Sequence, residues 1–280
     1  MLRTASLRVL GPADLPAVTE ILGRDPVANV FVASRVRTVG LEPLRLGGEM
    51  WGHLVDGRLD ALCHAGANLV PVQAGPDALR AFAERARRQG RRCASIVGPK
   101  ATVAPMWELL EPSWGPAREV RPNQPLMSMS TPSPARADPG VRRVRPDELD
   151  TILPACVAMF TEEVGISPTV GDGGATYRAR VAELIAAGRS FARIEDGRVI
   201  FKAEVGSATD EACQVQGVWV APELRGRGLS SGGMAAVVNE ALRDIAPVVS
   251  LYVNDYNVAA RATYRRVGFQ DSGTFMSVLF

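Results

Sequence analysis

The chain has 280 residues, 46% of them hydrophobic, enough to bury a sizeable core and long enough for two domains. Thirty-two basic against thirty acidic residues leave a net charge of +2, too near neutral to mark a polyanion binder, so no nucleic-acid partner is expected. No run reaches the roughly eighteen apolar residues of a membrane span, and the N-terminal MLRTASLRVLGPADLP lacks the apolar core of an export signal; no membrane partner is expected and the cytoplasm is the default compartment.

The four cysteines, Cys63, Cys93, Cys156 and Cys213, form no CxxC pair, and His53 and His64 are the only histidines. Zinc-ligand spacing is absent, so no metal is expected and the thiols read as free and buried.

In chain order, LRVLGPADLPAV (7–18) comes first, a segment that a later stretch of the chain repeats. HLVDGRLDALCHAG (53–66) is two strand-like runs around an Asp-Gly-Arg turn. ANLVPV (67–72) is a strand that passes straight into the helical QAGPDALRAFAERARRQG. Within that helix, RARRQGRR (85–92) is better explained as a solvated helix end than as a nucleic-acid patch. TPSPARADPG (131–140), with three prolines and no apolar periodicity, reads as a linker between domains 1–130 and 141–280.

The second half opens with a strand at 141–144 and a helix from Pro146 to about residue 163. A loop, GISPTVGDGG, leads to a helix near 175–187, then to strands at 190–195 and 198–206 joined by the Asp196-Gly197 turn. CQVQGVWV (213–220) is a third strand, followed by the loop APELRGRGLS, a helix to about Ala246, the strand VVSLYV, a helix from about Asn257 to Val267, and a last strand ending at Phe280.

The halves repeat one another in order. LRVLGPADLPAV lies over VRRVRPDELDTI (141–152), HLVDGRLDALCHAG over RIEDGRVIFKAEVG (193–206), and, more weakly, PLMSMS over TFMSVLF, with offsets that drift slowly as loop insertions require.

RGRGLS (225–230) lies between a strand and a helix, where two glycines let backbone amides converge on an anion and Arg225 and Arg227 add charge. A solvated glycine turn is the plain alternative. GxGxxG with a later acid does not fit, and GxxxxGK[ST] occurs nowhere, so dinucleotide and P-loop sites are excluded. What fits is V-x-V-x-P-x-x-R-G-x-G-x-[GAS] followed by N-x-x-A-x-x-x-Y-x-x-x-G-F, here Val218, Val220, Pro222, Arg225, Gly226, Gly228 and Ser230, then Asn257, Ala260, Tyr264, Gly268 and Phe269.

On these motifs, residues 141–280 resemble the GNAT acyltransferase superfamily, whose members bind acetyl-CoA and acylate amines. Ser230 departs from the usual Gly or Ala but keeps its N–H. The resemblance implies an α+β (α/β) chain of two GNAT-like domains, each a mixed, mostly antiparallel sheet flanked by helices. It also implies that Val218, Trp219 and Val220 offer backbone groups to the pantetheine arm and a polarising N–H to the thioester. Residues 225 to 230 (Arg225, Gly226, Arg227, Gly228, Leu229, Ser230) would hold the pyrophosphate, Asn257 would meet the cofactor arm, and Tyr264 would be the general acid for the departing thiolate. Packing in the core is the alternative for Tyr264.

No carboxylate lies between Gln214 and Val220, so the general base is sought on the neighbouring strand, where Glu204 faces the same way as Lys202. A solvated strand face is the alternative there, and the Phe280 carboxylate a less favoured substitute. Glu162 and Glu163, after the first helix of this half, would form an acidic lip for a cationic amine, with plain helix-end solvation as the alternative.

The first half lacks the phosphate loop after residue 72, has His64 opposite Glu204, and lacks the Asn and Tyr positions in IVGPKATVAPMWELL (96–110). It reads as a degenerate GNAT-like repeat without cofactor. Actinobacterial tandem-GNAT enzymes, mycothiol synthase among them, are similar in plan. The expectation is an N-acetyltransferase acting on a small-molecule or peptide amine, with homodimerisation left open. The rivals are a non-catalytic acyl-CoA sensor, which a retained Tyr264 disfavours, and a peptidoglycan-type aminoacyl transferase, which would lack a working CoA loop.

Overall fold

A computed structural model describes residues 4–280; Met1 to Arg3, part of the segment read above for an export signal, lie outside the described residues. The chain divides into two compact units. One comprises the residues up to Met127 with Tyr252–Tyr256 and Asp271–Phe280, and the other Ser128–Leu251 with Asn257–Gln270.

The first unit contains β1 (Ala5–Val9), α1 (Leu15–Leu22), α2 (Val30–Val39), α3 (Pro43–Leu46), β2 (Gly48–Val55), β3 (Arg58–Gly66), β4 (Asn68–Val72), α4 (Pro76–Gln89), β5 (Ser95–Pro99), α5 (Lys100–Trp114) and β6 (Glu119–Met129). β1 to β4 are antiparallel neighbours, and β4 runs parallel to β5 for two residues only. Side-chain alternation sends Met50 and Leu62 into a core with α1 and α2, and Trp51 and Cys63 into another with α4 and α5. The sheet is therefore covered on both faces.

The second unit contains β7 (Val141–Arg143), α6 (Leu149–Val164), α7 (Ala175–Ala186), β8 (Ser190–Glu195), β9 (Arg198–Ala208), β10 (Cys213–Val220), α8 (Leu229–Asp244), β11 (Val249–Tyr252) and α9 (Val258–Val267). Its order β11-β10-β9-β8-β7 is antiparallel except for β10 and β11. α6 and α7 cover one face through Ile152, Cys156, Val181 and Ile185. α8 lies against the other, where Gly233 meets the Phe201 ring so closely that a Cβ would stand 2.7 Å from it. Residues 131–140 are held along this unit: Ser133 N–H donates to Asn239, its Oγ to the Val267 carbonyl, and Asp138 N–H to the Gly232 carbonyl.

The last strand, β12 (Gln270–Leu279), is second-half in sequence but lies between β5 and β6 in the first unit's sheet. It pairs antiparallel with β5 from Phe275↔Pro99 to Leu279↔Ser95. Burial of Met276 and Val278 among Phe82, Ile96 and Trp107 explains the placement.

The internal repeat extends to backbone detail. Asp56 (φ 50°) and Gly57 (φ 78°) have the turn conformation of Asp196 (φ 48°) and Gly197 (φ 72°), the left-handed pair that a tight two-residue hairpin requires. Each hairpin carries a bulge at the same place, between His53 and Leu54 in one and Arg193 and Ile194 in the other. Each unit also ties its first strand to the following helix by a bidentate pair, Arg8–Asp14 and Arg142–Glu148. In both, the carboxylate additionally accepts a backbone N–H, from Gly11 or Arg145, at 2.9 Å. Among the described residues no helix is long and apolar enough to cross a membrane.

Candidate active site

β10 reads VQGVWV at its C-terminal end, and its pairing with β9 is irregular. Gln216 faces Glu204 and Trp219 faces Lys202, so three steps on β10 match two on β9 and an extra residue bulges at Gly217–Val218. Gly217 is there by necessity. Its φ is +61°, and a Cβ would lie 3.0 Å from Lys202 Nζ and Met159 Cε and 3.2 Å from Glu204 Cδ. Parallel pairing with β11 is confined to Cys213↔Val249 and Gln214↔Ser250, which leaves the bulged end open on that side.

Beneath the bulge sits a buried ion pair. Lys202 is 0% exposed; its Nζ lies 3.2 Å from Glu204 Oε2, and Gln216 Nε2 donates to Glu204 Oε1 at 3.0 Å. Burial opposes the lysine charge, while Glu204 and the Cys156 thiol favour it, and the upward direction wins. Burial pushes the Cys156 thiol up in turn. Tyr177 completes this floor by donating to the Cys156 carbonyl at 3.0 Å.

β10 runs out through a 3-10 turn, Pro222–Leu224, into the glycine loop. Gly226 (φ +76°) and Gly228 (φ +79°) both adopt left-handed backbone, and a Cβ on either would meet nothing within 4 Å. Gly228 is the N-cap of α8. Among the described residues the N–H groups of Gly226 to Ser230 have no acceptor, the first used being Ser231 N–H, which donates to the Gly228 carbonyl. This is a row of free donors at a helix start, backed by the positive end of the helix. Arg225 donates to the Val220 carbonyl at 3.0 Å and to Glu162 at 2.8 Å, and Trp219 Nε1 donates to Glu162 at 3.2 Å. Glu162 thus braces the loop rather than standing free.

α9 starts at Asn257, whose side-chain oxygen accepts the Ala260 N–H at 3.1 Å. Ser230 Oγ and Thr263 Oγ1, 3.4 Å apart, connect the start of α8 to α9. One residue on, Tyr264 is 8% exposed, packed edge-on against Phe269 with centroids 5.9 Å apart, and its hydroxyl has no hydrogen-bond partner among the described residues. Burial, and secondarily the charge of Glu163, pushes the phenol up and keeps it protonated. Glu163 acts on Tyr177 as well, after burial, Cys156 and Glu204.

The second unit therefore gathers Glu204, the Val218–Val220 stretch, the 225–230 loop, Glu162, Glu163 and Tyr264 on neighbouring elements, whereas Asn257 spends its oxygen on its own helix. Sequence reasoning missed Gly217 and the bond of Gln216 to Glu204, and treated Lys202 only as a direction marker. The i, i+2 spacing of Lys202 and Glu204 on one strand was the available signal for their pairing. Among the described residues no group of three or more His, Cys, Asp or Glu gathers as metal ligands would.

Residues 167–269 match the acetyltransferase (GNAT) family, and residues 48–152 match a domain of unknown function, DUF4081. No curated protein matches the chain. Among solved structures, a GNAT-family acetyltransferase from Colwellia psychrerythraea is 14% identical, with 98% of this chain and 99% of that one covered at a TM-score of 0.60. A GCN5-related N-acetyltransferase from Sphaerobacter thermophilus is 19% identical (98% and 95% covered, TM-score 0.63). A tandem GNAT protein from the clavulanic acid biosynthesis pathway is 16% identical (99% and 98% covered, TM-score 0.57). Residues 167–269 are thus a match to the GNAT acetyltransferase family. The chain as a whole has the fold of a tandem GNAT protein, and acetyl transfer is the general activity that the family supports.

Proposed function

We propose that the protein transfers the acetyl group of acetyl-CoA to the nitrogen of an amine, using the second unit alone. The observation that carries this reading is the 225–230 loop, with its unused amides and two left-handed glycines over open space, beside the Gly217–Val218 bulge. That arrangement fits a pyrophosphate and an extended arm. Residues Arg225 to Ser230 would hold the phosphates, and the backbone of Val218, Trp219 and Val220 the arm; Asn257 has its amide nitrogen left to offer. When bound, acetyl-CoA supplies an acetyl group activated as a thioester.

The chain's own residues then manage two protons. Glu204, beneath the bulge, takes one from the attacking amine, and the hydroxyl of Tyr264, a residue only 8% exposed, gives one as the thiolate departs. Glu162 and Glu163 together supply the negative charge that draws a cationic amine, Glu162 while it also accepts from Arg225 and Trp219.

A thiol-release assay with the purified full chain, acetyl-CoA and a library of amines tests the reading. Release that depends on both an added amine and Tyr264 supports it. Acetyl-CoA binding with no amine-dependent release from any class would replace it with the sensor reading.

A further inference from the structure

The first unit has a cavity of about 320 Å³ where β2 and β4 begin and β3 and α4 end, a size found in small-molecule sites. Trp51 and Trp114 contribute aromatic walls, and most of the remaining lining is glycine and alanine. Three hydrophilic side chains face into this lining: Glu49, Gln89 and Arg92.

The hydrogen bonding of Glu49 is one-sided. Trp51 Nε1 at 2.6 Å, Arg85 Nη2 at 3.1 Å and Gln89 Nε2 at 3.4 Å all donate to its Oε2. Among the described residues Oε1 receives no donor. The carboxyl is held below its ordinary range, chiefly by the Trp51 indole N–H and further by Arg85 and Gln89, so it is ionised at neutral pH. Arg85 is turned to Glu49 and also lies over the Trp51 ring at 5.2 Å. Arg92, by contrast, makes no ion pair or hydrogen bond among the described residues.

The wall thus presents one unused carboxylate oxygen and one unused guanidinium over an aromatic and small-residue surface. Arg85 already neutralises Glu49 from outside the lining and Arg92 is left as a positive charge, so the cavity calls for an anionic group on Arg92 together with a hydrogen-bond donor to Glu49 Oε1. A ligand bearing both satisfies both groups. We propose that this cavity binds a free α-amino acid, its ammonium group on Glu49 Oε1 and its carboxylate on Arg92, with the side chain against the tryptophans.

The proposal does not depend on the acetyl-transfer reading, and it is tested without acetyl-CoA. Calorimetry of the full chain against each of the twenty free amino acids should find at least one that binds tighter than about 1 mM, an affinity that two charge-assisted contacts can supply. For that amino acid, blocking the amine by N-acetylation or the carboxylate by amidation should each weaken binding about tenfold or more. Arg92→Gln should do the same, and Ala67→Trp, a substitution at an exposed lining position, should abolish binding by filling the space. Both are surface changes that leave the core intact. No binding by any amino acid at about 10 mM, or binding that survives Arg92→Gln and Ala67→Trp, would overturn the assignment.

Discussion

The two halves share a scaffold down to individual dihedral angles and differ where a strand passes into a helix. In the first, β4 pairs with β3 without interruption from Leu62↔Val72 to Ala65↔Leu69, and only Gln73, Ala74 and Gly75 separate it from α4. α4 then starts with Pro76, which has no N–H to offer an anion. In the second, β10 is bulged and residues 221 to 228 intervene before α8, with the amides of Gly226 to Ser230 unused. Beneath the strand, Leu62 and His64 occupy the places that Lys202 and Glu204 take in the second half. His64 is buried, its imidazole pushed down to about 4 by that burial and by the Arg35 charge, so it is neutral where Glu204 is paired with a cation. The turn, the hairpin bulge and the strand-to-helix ion pair make the fold; the loop length, the second bulge and the buried charges make the site, and the two sets are separable.

The largest test of that separation is Tyr264→Phe. α5, which follows β5 as α9 follows β11, contains no tyrosine, and nothing in the first half would replace the lost acid. Turnover should fall about 10²–10⁴-fold with acetyl-CoA affinity nearly unchanged. A rate within about threefold of the parent would make Tyr264 a packing residue.

Next in size is a matched pair of substitutions at the two strand-to-helix junctions. Gly228→Asp puts a carboxylate at a left-handed position facing the amide row and should weaken acetyl-CoA binding about 10²–10³-fold, as like charges a few ångströms apart near a surface imply. Gly75→Asp places the same group at the N-cap of α4, at φ −76° with nothing within 4 Å of its Cβ, and should leave binding unchanged while stabilising the helix slightly. Calorimetry reads both; a loss at Gly75, or a stoichiometry of two, would show a second cofactor site.

Exchanging the buried residues tests the difference beneath the strands. Lys202→Leu leaves Glu204 buried without its cation and should cost about 3–5 kcal/mol in urea unfolding. Adding Glu204→His, to copy the first half, should recover much of that loss, because neither replacement then carries a buried charge. Glu204→Gln keeps the shape and should remove the acid-side inflection of the pH–rate profile, since an amide cannot take the amine proton. An inflection that persists would move the base to Glu163 or another carboxylate.

Much of the fold was legible in the sequence because its cues are local. Asp-Gly turns, Pro146 and the glycines that end helices bracket the second half's elements to within a few residues of their observed bounds. The placement of β12 was not legible. QDSGTFMSVL has the apolar alternation of a strand, but alternation carries no information about which sheet receives it. At the site, the amide row could be read from RGRG because glycine spacing constrains backbone directly. The Lys202–Glu204–Gln216 cluster could not be read fully, because it depends on a bulge that shifts Gln216 into register with Glu204. Glu162 shows the same limit: its bond to Arg225 joins residues 63 positions apart.

The smallest expected effect concerns what the halves have in common. The Arg8 hydrogen bond holds the Asp14 carboxyl down at about 2, and Arg142 does the same for Glu148. Free carboxyls titrate near about 4, so between about pH 4 and 2 the unfolded chain binds protons that the folded chain refuses. The stabilisation from each pair is therefore complete above about pH 4 and disappears as the pH falls toward 2. The arginines are 50% and 41% exposed, so water screens both pairs, and about 1 kcal/mol each is the expected scale. Asp14→Asn and Glu148→Gln should lower the urea midpoint at pH 7 and converge on the parent at pH 2. Glu148 is the less exposed carboxylate and is also approached by Arg145 at 2.9 Å, so its variant should lose more. Equal losses would mean that the backbone N–H bonds from Gly11 and Arg145, which the repeats share, outweigh the guanidinium contacts in which they differ.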